Sequence, residues 1–297
     1  MAVADRRSRF FDPGYLSLHQ LAALLVVVHE NGKDVFLDPG QKFLPYGQLH
    51  WAHTFTGGLL ETPSGATTSV VTPANDPKQA VRARLADLIL DAHGAATGSV
   101  KILMNGPSAL HWRQANLAAG SQQLQTMVGE LLHSALPQGI TSSNPQIRGL
   151  GTPDGFVEIV AQVSGQLGHL DGKQMRLPGF FFAMQESNDL LAEKTRTQPI
   201  AMRYAGQEID NAVFHLPPGI AVESAPQNQQ LPWPGHAALV VTTQPGAGVL
   251  NVKRIFAEGF VLLPPQDFPA LQAFYQKVAA ADQQPVVLAL AAGAAGN

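Results

Sequence analysis

The stretch from Leu18 to Pro45 constrains the fold of this chain more than any other, because it encodes a β-hairpin with a carboxylate at its exit. Residues 21–28 are apolar and end in a run of valines, which predicts a buried strand. Asn31-Gly32 follows, and both residues tolerate the positive φ angles of a tight hairpin turn. Residues 35–37 predict the returning strand, which Asp38-Pro39-Gly40 ends because proline cannot donate to a strand ladder.

Clusters of turn-forming residues divide the chain into three predicted units. The first unit covers residues 1–73 and ends at Pro73-Ala74-Asn75-Asp76-Pro77, a segment rich in proline and turn formers. The second unit covers residues 74–196. The third covers residues 197–297 and ends in a glycine- and alanine-rich tail, residues 291–297, that we expect to fray. A chain of 297 residues exceeds the usual size of one domain, so its length is consistent with this division.

Hydrophobic spacing within the last two units predicts short strands and a few helices. In the second unit, residues 121–135 carry apolar side chains at helical spacing, and Ser121 is the predicted cap. In the third unit, short strands separated by glycine or proline are typical of a β-sandwich, and a helix follows Asp267. The predicted fold class is therefore α+β with mostly antiparallel strands. Two β-rich, sandwich-like domains, each with one or two packed helices, are expected to follow the first unit.

The composition excludes several kinds of site and partner. With 0 Cys, the chain has no disulfide, no thiol nucleophile and no cysteine-ligated metal. The net charge is −3, and the densest basic cluster is Arg6-Arg7-Ser8-Arg9, which we expect on a solvated arm, so no nucleic-acid partner is predicted. The longest apolar run, residues 21–28, is shorter than the ~20 residues that span a bilayer. No signal peptide is visible, and we expect a soluble chain of unknown compartment without a membrane span.

The chain contains a series of short motifs whose order and spacing resemble those of one family. They are residues 32–39 (GKDVFLDP), 177–182 (LPGFFF), 196–200 (RTQPI), 216–219 (LPPG) and 222–226 (VESAP). The first motif resembles the end of a bacterial transglutaminase-like core, and the others resemble the β-rich domains of unknown function that accompany it. The resemblance implies that the first unit is a truncated half-core and that Met1 falls inside it, as in a truncated or internally started gene. Proteins of this family are often exported.

The same resemblance implies that the catalytic residues of the family are missing. In that family a cysteine, a histidine and an aspartate form a triad in which the histidine activates the thiol. Asp38 matches the aspartate position, Ala23 stands at the histidine position, and the cysteine would precede Met1. The implied function is a non-catalytic scaffold or binding protein. Asp38 is then a remnant of the triad or a turn carboxylate, and exposed half-core strands favour a homo-oligomer in which a second copy replaces the missing strands.

The segment His50-Trp51-Ala52-His53 offers an alternative function. Two histidines three residues apart can share one face of a helical turn and bind zinc, with Asp38, Glu61 or His19 as a third ligand. Zinc-bound hydroxide would hydrolyse small esters or phosphoesters without a cysteine. No cofactor is predicted for the scaffold function, and Zn²⁺ is predicted for this alternative. The pair lacks the glutamate of an HExxH motif, and the same segment is also consistent with an aromatic loop packed on the core. A carbohydrate-binding function is a third interpretation, supported only by the scattered Trp51, Trp112 and Trp233.

Overall fold

The computed structural model describes residues 1–8, 10–15, 17–183, 193 and 195–290. The glycine- and alanine-rich tail that was predicted to fray lies outside these residues. The α-helices in the described part of the chain are α1 (Gly106–Ala118), α2 (Ser121–Ala135) and α3 (Phe268–Asp282), and short 3₁₀ turns cover Leu18–Gln20, Trp51–His53, Pro77–Gln79 and Pro265–Asp267. The strands are β1 (Ala2–Val3), β2 (Ala23–Leu24), β3 (Val26–Glu30), β4 (Lys33–Leu37), β5 (Gly57–Glu61), β6 (Thr67–Val71), β7 (Val81–Leu90), β8 (Ala95–Met104), β9 (Ile140–Arg148), β10 (Val157–Gln166), β11 (His169–Asp171), β12 (Gln174–Leu177), β13 (Ile200–Ala201), β14 (Gly206–His215), β15 (Ile220–Ser224), β16 (Gln229–Trp233), β17 (Ala237–Gly246), β18 (Val249–Glu258), β19 (Leu262–Leu263) and β20 (Val286–Leu290).

The fold is β-rich and belongs to the α+β class, as predicted. Its largest sheet has eight strands in the order β16-β17-β18-β14-β7-β8-β10-β9. Neighbouring strands in this sheet run antiparallel except for β14 and β7, which pair in parallel. Because β7 belongs to the second predicted unit and β14 to the third, strands on both sides of the predicted boundary at residue 196 form one mixed sheet.

The helices and a second sheet bury the apolar side of the eight-stranded sheet. Helix α1 contacts β7 and β10, α2 contacts β9, and α3 contacts β16. A four-stranded sheet, in the order β11-β12-β20-β15, contributes to the same apolar core. Leu88 from β7, Leu132 from α2 and Leu288 from β20 are all fully buried in it. A single core therefore draws buried side chains from residue 86 to residue 288.

The first unit is built differently, from small sheets with little core of their own. One sheet has the order β2-β1-β5-β6, and β3 and β4 form a separate hairpin. The buried apolar cluster of this unit consists of Val3, Leu25 and Leu49. Such a small cluster buries little apolar area, so this unit depends on contacts with the rest of the chain.

The hairpin turn at Asn31-Gly32 is confirmed, with φ angles of 51° and 76°. The single buried strand predicted for residues 21–28 is wrong, because β2 and β3 divide this stretch and every second residue in it, at positions 22, 24, 26 and 28, is exposed. Leu24 is 75% exposed and Val26 is 47% exposed. Within the described residues, β3 pairs only with β4, and the face of this hairpin that carries Val26 and Val28 is exposed.

Candidate functional site

Asp38 lies where β4 ends, and its carboxylate points into the protein. The turn that follows is closed by a hydrogen bond from Gln41 N to Asp38 O, at 3.1 Å. Only 6% of the residue is exposed. A buried carboxylate needs hydrogen-bond donors, because an unpaired charge in the interior is costly. The loop that returns past Asp38 supplies them.

The 3₁₀ turn Trp51–His53 brings the imidazole of His53 onto Asp38. Hydrogen bonds from His53 N to His50 O (2.8 Å) and from Thr54 N to Trp51 O (3.3 Å) close this turn. His53 Nδ1 lies 2.6 Å from Asp38 Oδ2, and the backbone N of His50 lies 3.3 Å from the same oxygen. Because an ionised carboxylate only accepts hydrogen bonds, His53 donates its Nδ1 proton. The structure thus joins two residues that the sequence had proposed as possible metal ligands.

His50 stands beside this pair but does not bond to Asp38 through its side chain. Its Nδ1 accepts a hydrogen bond from Ala52 N at 3.3 Å, and its ring centroid is 5.5 Å from that of His53. Burial lowers the pKa of His50 to about 4, and the neighbouring His53 and Arg7 act in the same direction. His50 is therefore neutral at pH 7.

The predicted metal cluster does not assemble in the described part of the chain. Within those residues, no group of three or more His, Asp or Glu side chains is arranged to hold a metal ion. Neither Glu61, an exposed residue of β5, nor His19 completes a site with the His50 and His53 imidazoles. The zinc site stays a prediction that this geometry does not support.

Arg6 connects the histidine turn to the C-terminal half of the chain. Its Nη2 donates to the carbonyl oxygens of Trp51 (2.8 Å) and Arg203 (2.7 Å), and its Nη1 donates to the carbonyl oxygen of Met202 (3.0 Å). The solvated arm predicted for this basic cluster is therefore wrong at Arg6, whose guanidinium joins segments almost 200 positions apart. Arg9, in the same cluster, lies outside the described residues. Short-range sequence patterns carry no signal for such a distant pairing.

Arg7 stays within its own segment. Its Nε donates to both oxygens of Asp5, at 3.0 and 2.9 Å, and Nη2 adds a bond of 2.5 Å. The hydrogen bond from Arg7 lowers the pKa of Asp5 below its usual value, although burial opposes this shift. Asp5 is thus ionised and already paired, and it is not a candidate for proton transfer at neutral pH.

The chemistry of this site is limited by what surrounds the Asp38–His53 pair. A carboxylate that orients an imidazole is the base half of a nucleophilic site, and it requires a thiol or hydroxyl to activate. The sequence contains 0 Cys. The nearby Thr54 hydroxyl donates to Trp51 O at 2.7 Å, so its proton is already used within the turn.

Two comparisons found proteins that are similar to parts or all of this chain. Residues 173–288 match a family described as a domain of unknown function with a solved structure, DUF3858. This confirms the expected domain of unknown function in the C-terminal part of the chain. A solved structure from Parabacteroides distasonis ATCC 8503, described as a putative protease, is 12% identical with a TM-score of 0.45. The alignment covers 97% of this chain but 39% of that protein.

No curated protein matches the sequence. The transglutaminase-like relation of the first unit stays a prediction, because the family match begins at residue 173. Among the described residues, no helix is both long and apolar enough to cross a bilayer.

Proposed function

We propose that this chain is a non-catalytic binding protein, derived from a transglutaminase-like parent that has lost its cysteine and histidine. The observation that carries the proposal is the burial of Asp38 against His53, because Asp38 is the residue at the aspartate position of that family. Its Oδ2 lies 2.6 Å from His53 Nδ1 in a closed turn, and both side chains are almost inaccessible to solvent. In this proposal the Asp38 carboxylate stabilises the loop that carries His53, through the hydrogen bond between them. It has no histidine at position 23 to orient, because that residue is alanine.

The exposed hairpin provides the binding surface in this proposal. One face presents Val26 and Val28 from β3, which are 47% and 37% exposed, and the paired residues Leu37 and Val35 from β4. Glu30 and Lys33 pair with each other at the tip of the same face. An apolar face with one acid and one base at its end is complementary to a copy of itself, so the partner in this proposal is a second copy of the chain.

The size of this face sets the expected strength of association. Two strands of five residues cover roughly 160 Å² at ~3.3 Å per residue and ~4.8 Å per strand. A stable interface buries ~800 Å² per partner, so the hairpin alone accounts for a weak dimer. We expect dissociation constants of about 10–100 μM, equivalent to a binding free energy of roughly 5.5–7 kcal/mol.

Sedimentation velocity from 1 to 300 μM tests the self-association. The wild-type mass should rise toward that of a dimer, and Val28→Lys, which places a charge in the centre of the face, should stay monomeric. The matched control is Val71→Lys, because Val71 is also an exposed strand valine, 63% accessible, but lies on β6 in the other sheet. A wild-type chain that remains monomeric at 300 μM would refute this partner.

A second experiment tests the absence of catalysis. The purified chain is analysed for bound metal and assayed for hydrolysis of activated aryl esters and phosphotriesters, with and without chelator. We expect no stoichiometric metal and no turnover in either condition. Stoichiometric zinc together with a hydrolysis rate that disappears in His50→Ala, but persists in the exposed control His169→Ala, would overturn the proposal in favour of a zinc hydrolase.

A further inference from the structure

Strand β6 forms one edge of the β2-β1-β5-β6 sheet, and its only strand neighbour in the described part of the chain is β5. The two strands pair antiparallel. Hydrogen bonds just beyond the two ends of this pairing, from Thr72 N to Thr56 O (2.9 Å) and from Thr62 N to Ala66 O (2.8 Å), fix which residues bond across it. Because bonded and non-bonded pairs alternate along an antiparallel ladder, the even-numbered residues of β6 bond to β5.

The odd-numbered residues 67, 69 and 71 therefore direct their backbone N–H and C=O groups away from β5. Within the described residues, none of these backbone groups has a hydrogen-bond partner. All three residues are exposed, and Val71 is 63% accessible. Such a row of unpaired donors and acceptors can pair with one more β-strand.

The other edge strands carry features that oppose such pairing. A proline, a charged side chain or a bulge on an edge strand hinders the addition of a further strand. Within the described residues, every other edge strand of three or more residues contains a proline or a charge, namely β3 (Glu30), β4 (Lys33), β9 (Pro145), β11 (Asp171), β15 (Glu223) and β16 (Pro232). The sequence of β6 is Thr-Thr-Ser-Val-Val, and its pairing with β5 has no register shift. This edge is thus open to a partner strand.

The two ends of β6 offer different side-chain environments to an added strand. Gly57 lies opposite Val71, and a Cβ atom on Gly57 would be 2.8 Å from Phe11 Cδ1. Since residues directly opposite each other share a face, Phe11 and Val71 form an apolar spot on one face of the sheet. At the other end Glu61 lies opposite Thr67. Glu61 is exposed, and among the described residues it has no ion-pair partner.

On the other face of this sheet, an added strand would extend the small core of the first unit. Val70 lies opposite Gly58, and Gly58 lies opposite Val3. Val3 is fully buried, whereas Val70 is only partly covered. An apolar side chain placed beside Val70 would lie in the same row as Val3 and would remove more of Val70 from water.

We propose that β6 binds an extended segment of another protein as an added antiparallel strand. The backbone of this segment would supply the hydrogen bonds that residues 67, 69 and 71 lack, as in other cases of strand addition. Apolar residues opposite Val71 and Val70 and a basic residue opposite Thr67 match the surroundings of the edge. The basic residue would lie two strands from Glu61, roughly 10 Å away, a distance that two long side chains together can cover.

A second copy of β6 matches this edge less well than such a segment does. In an antiparallel pair of β6 strands centred on Ser69, Val71 of each copy would lie opposite Thr67 of the other. The apolar spot would then meet a polar side chain. Glu61 would meet no base, because β6 contains no Lys or Arg. The inference is therefore separate from self-association of the hairpin and does not depend on it.

Amide–water exchange rates measured by NMR on the full chain test the strand addition. The probe is acetyl-Val-Val-Thr-Thr-Arg-amide, whose first residue would lie opposite Val71 and whose last would lie opposite Thr67. At saturation the amides of residues 67, 69 and 71 should exchange at least tenfold more slowly. Those of Thr68 and Val70 should change less than threefold, because they already bond to β5. Slowing of the odd-numbered amides without peptide, increasing with protein concentration, would overturn the inference in favour of a second copy.

Methylation of the peptide backbone separates strand pairing from side-chain contact. A methyl group on the nitrogen of the third residue removes a donor that faces β6 and should weaken binding at least tenfold. On the nitrogen of the fourth residue, which faces away from β6, it should change binding less than threefold. Equal weakening by both methyl groups, or no binding of the unmethylated probe at millimolar concentration, would overturn the inference.

The matching change in the protein is Ser69→Pro. It removes an N–H group that faces away from β5, so the β5–β6 pairing can remain, and it should weaken binding at least tenfold. The control Ser69→Ala keeps this N–H group and should bind as the wild type does. Unchanged binding by a folded Ser69→Pro chain would refute the pairing.

The last residue of the peptide tests the contribution of Glu61. A probe that ends in glutamate in place of arginine should bind at least threefold more weakly to the wild type, and this difference should disappear in Glu61→Gln. The control is Glu223→Gln, because Glu223 is also an exposed strand carboxylate but lies on β15 in another sheet. A difference that persists in Glu61→Gln would refute the proposed register of the added strand.

Discussion

Removal of the carboxylate of Asp210 should destabilise the chain more than removal of any exposed carboxylate. Arg84 on β7 donates to Asp210 on β14 through Nε (2.6 Å) and Nη2 (2.7 Å), and both side chains are 4–5% exposed. The remaining contacts of this guanidinium are Glu208 Oε1 at 2.7 Å and Ala183 O at 3.0 Å. The ion pair therefore fastens the two parallel strands that join the second and third predicted units.

The expected loss of stability in Asp210→Ala follows from the buried Arg84 charge, which loses its main counterion. Loss of one partner of a buried ion pair costs about 3–5 kcal/mol, because the other charge stays buried without its counterion. Arg84 retains Glu208 and Ala183 O, so we expect the lower end, about 3 kcal/mol. Asp87 lies on β7, as Arg84 does, but on the opposite face of that strand. Its side chain contacts His215 at 2.8 Å, and the two side chains are 67% and 46% exposed. Asp87→Ala should cost less than about 1 kcal/mol, as exposed ion pairs do.

Urea unfolding followed by tryptophan fluorescence measures both changes. A third variant sharpens the comparison, since Arg84→Met combined with Asp210→Leu removes both charges and should be less destabilised than Asp210→Ala alone. Burial raises the pKa of Asp210 even though the hydrogen bond from Arg84 opposes the shift, whereas the pKa of Arg84 is raised because its hydrogen bond to Asp210 and the neighbouring carboxylates outweigh the effect of burial. Equal losses of about 1 kcal/mol or less for Asp210→Ala and Asp87→Ala would refute this account.

Further predictions concern single titrating or buried groups. His50 should stay neutral from pH 8 to pH 5 and titrate with a pKa of about 4 in NMR spectra, because burial disfavours its charged form, and a midpoint near 6.5 would contradict this. His53→Ala should lower the free energy of unfolding by about 2–3 kcal/mol, since it removes a donor to the buried Asp38 carboxylate, and His53→Gln should recover part of the loss. Burial raises the pKa of Glu258 above 4.5 despite the hydrogen bond from Tyr275, so its contribution to stability is present below that value and is lost as the pH rises through the folded pKa. The free energy of unfolding of Glu258→Gln, minus that of the wild type, should therefore increase from pH 4 to pH 8. A decrease of this difference over the same range would disprove the assignment.

The helices could be predicted because their signals are local. The spacing that predicted residues 121–135 is confirmed by α2, in which Leu124, Val128 and Leu132 are buried. The cap is one residue earlier than predicted, at Gly120, and Ser121 begins the helix. Such patterns depend on the helical period alone, and this period is written in the sequence.

The edges of the large sheet were harder to predict, because their sequences do not look like strands. The stretch ITSSNPQIR forms β9, and only Ile140 in it is buried. Strand β16 contains Pro232, which disfavours a strand except at an edge, and β16 is the edge strand of the sheet. The apolar run Val286–Leu290 was a usable signal for β20, although its antiparallel pairing with β12 and β15 has no local cause.

The same limit applies to the candidate site. Asp38 and the two histidines were singled out from residue type and spacing, but only Asp38 and His53 meet through their side chains, across fifteen positions. That contact depends on the path of the intervening loop, which no periodic pattern describes. The bond from Arg6 to Arg203 O, at 2.7 Å, and the parallel pairing of β7 with β14 are further long-range contacts of this kind.

Buried apolar residues are distributed unevenly between the first unit and the rest of the chain. The main core draws its side chains from residue 86 to residue 288, whereas the first unit contributes a separate cluster of Val3, Leu25 and Leu49. A unit with so little core is held by polar contacts such as the Arg6 guanidinium and the Asp38–His53 turn. Its hairpin can therefore leave apolar side chains exposed without loss of the main core.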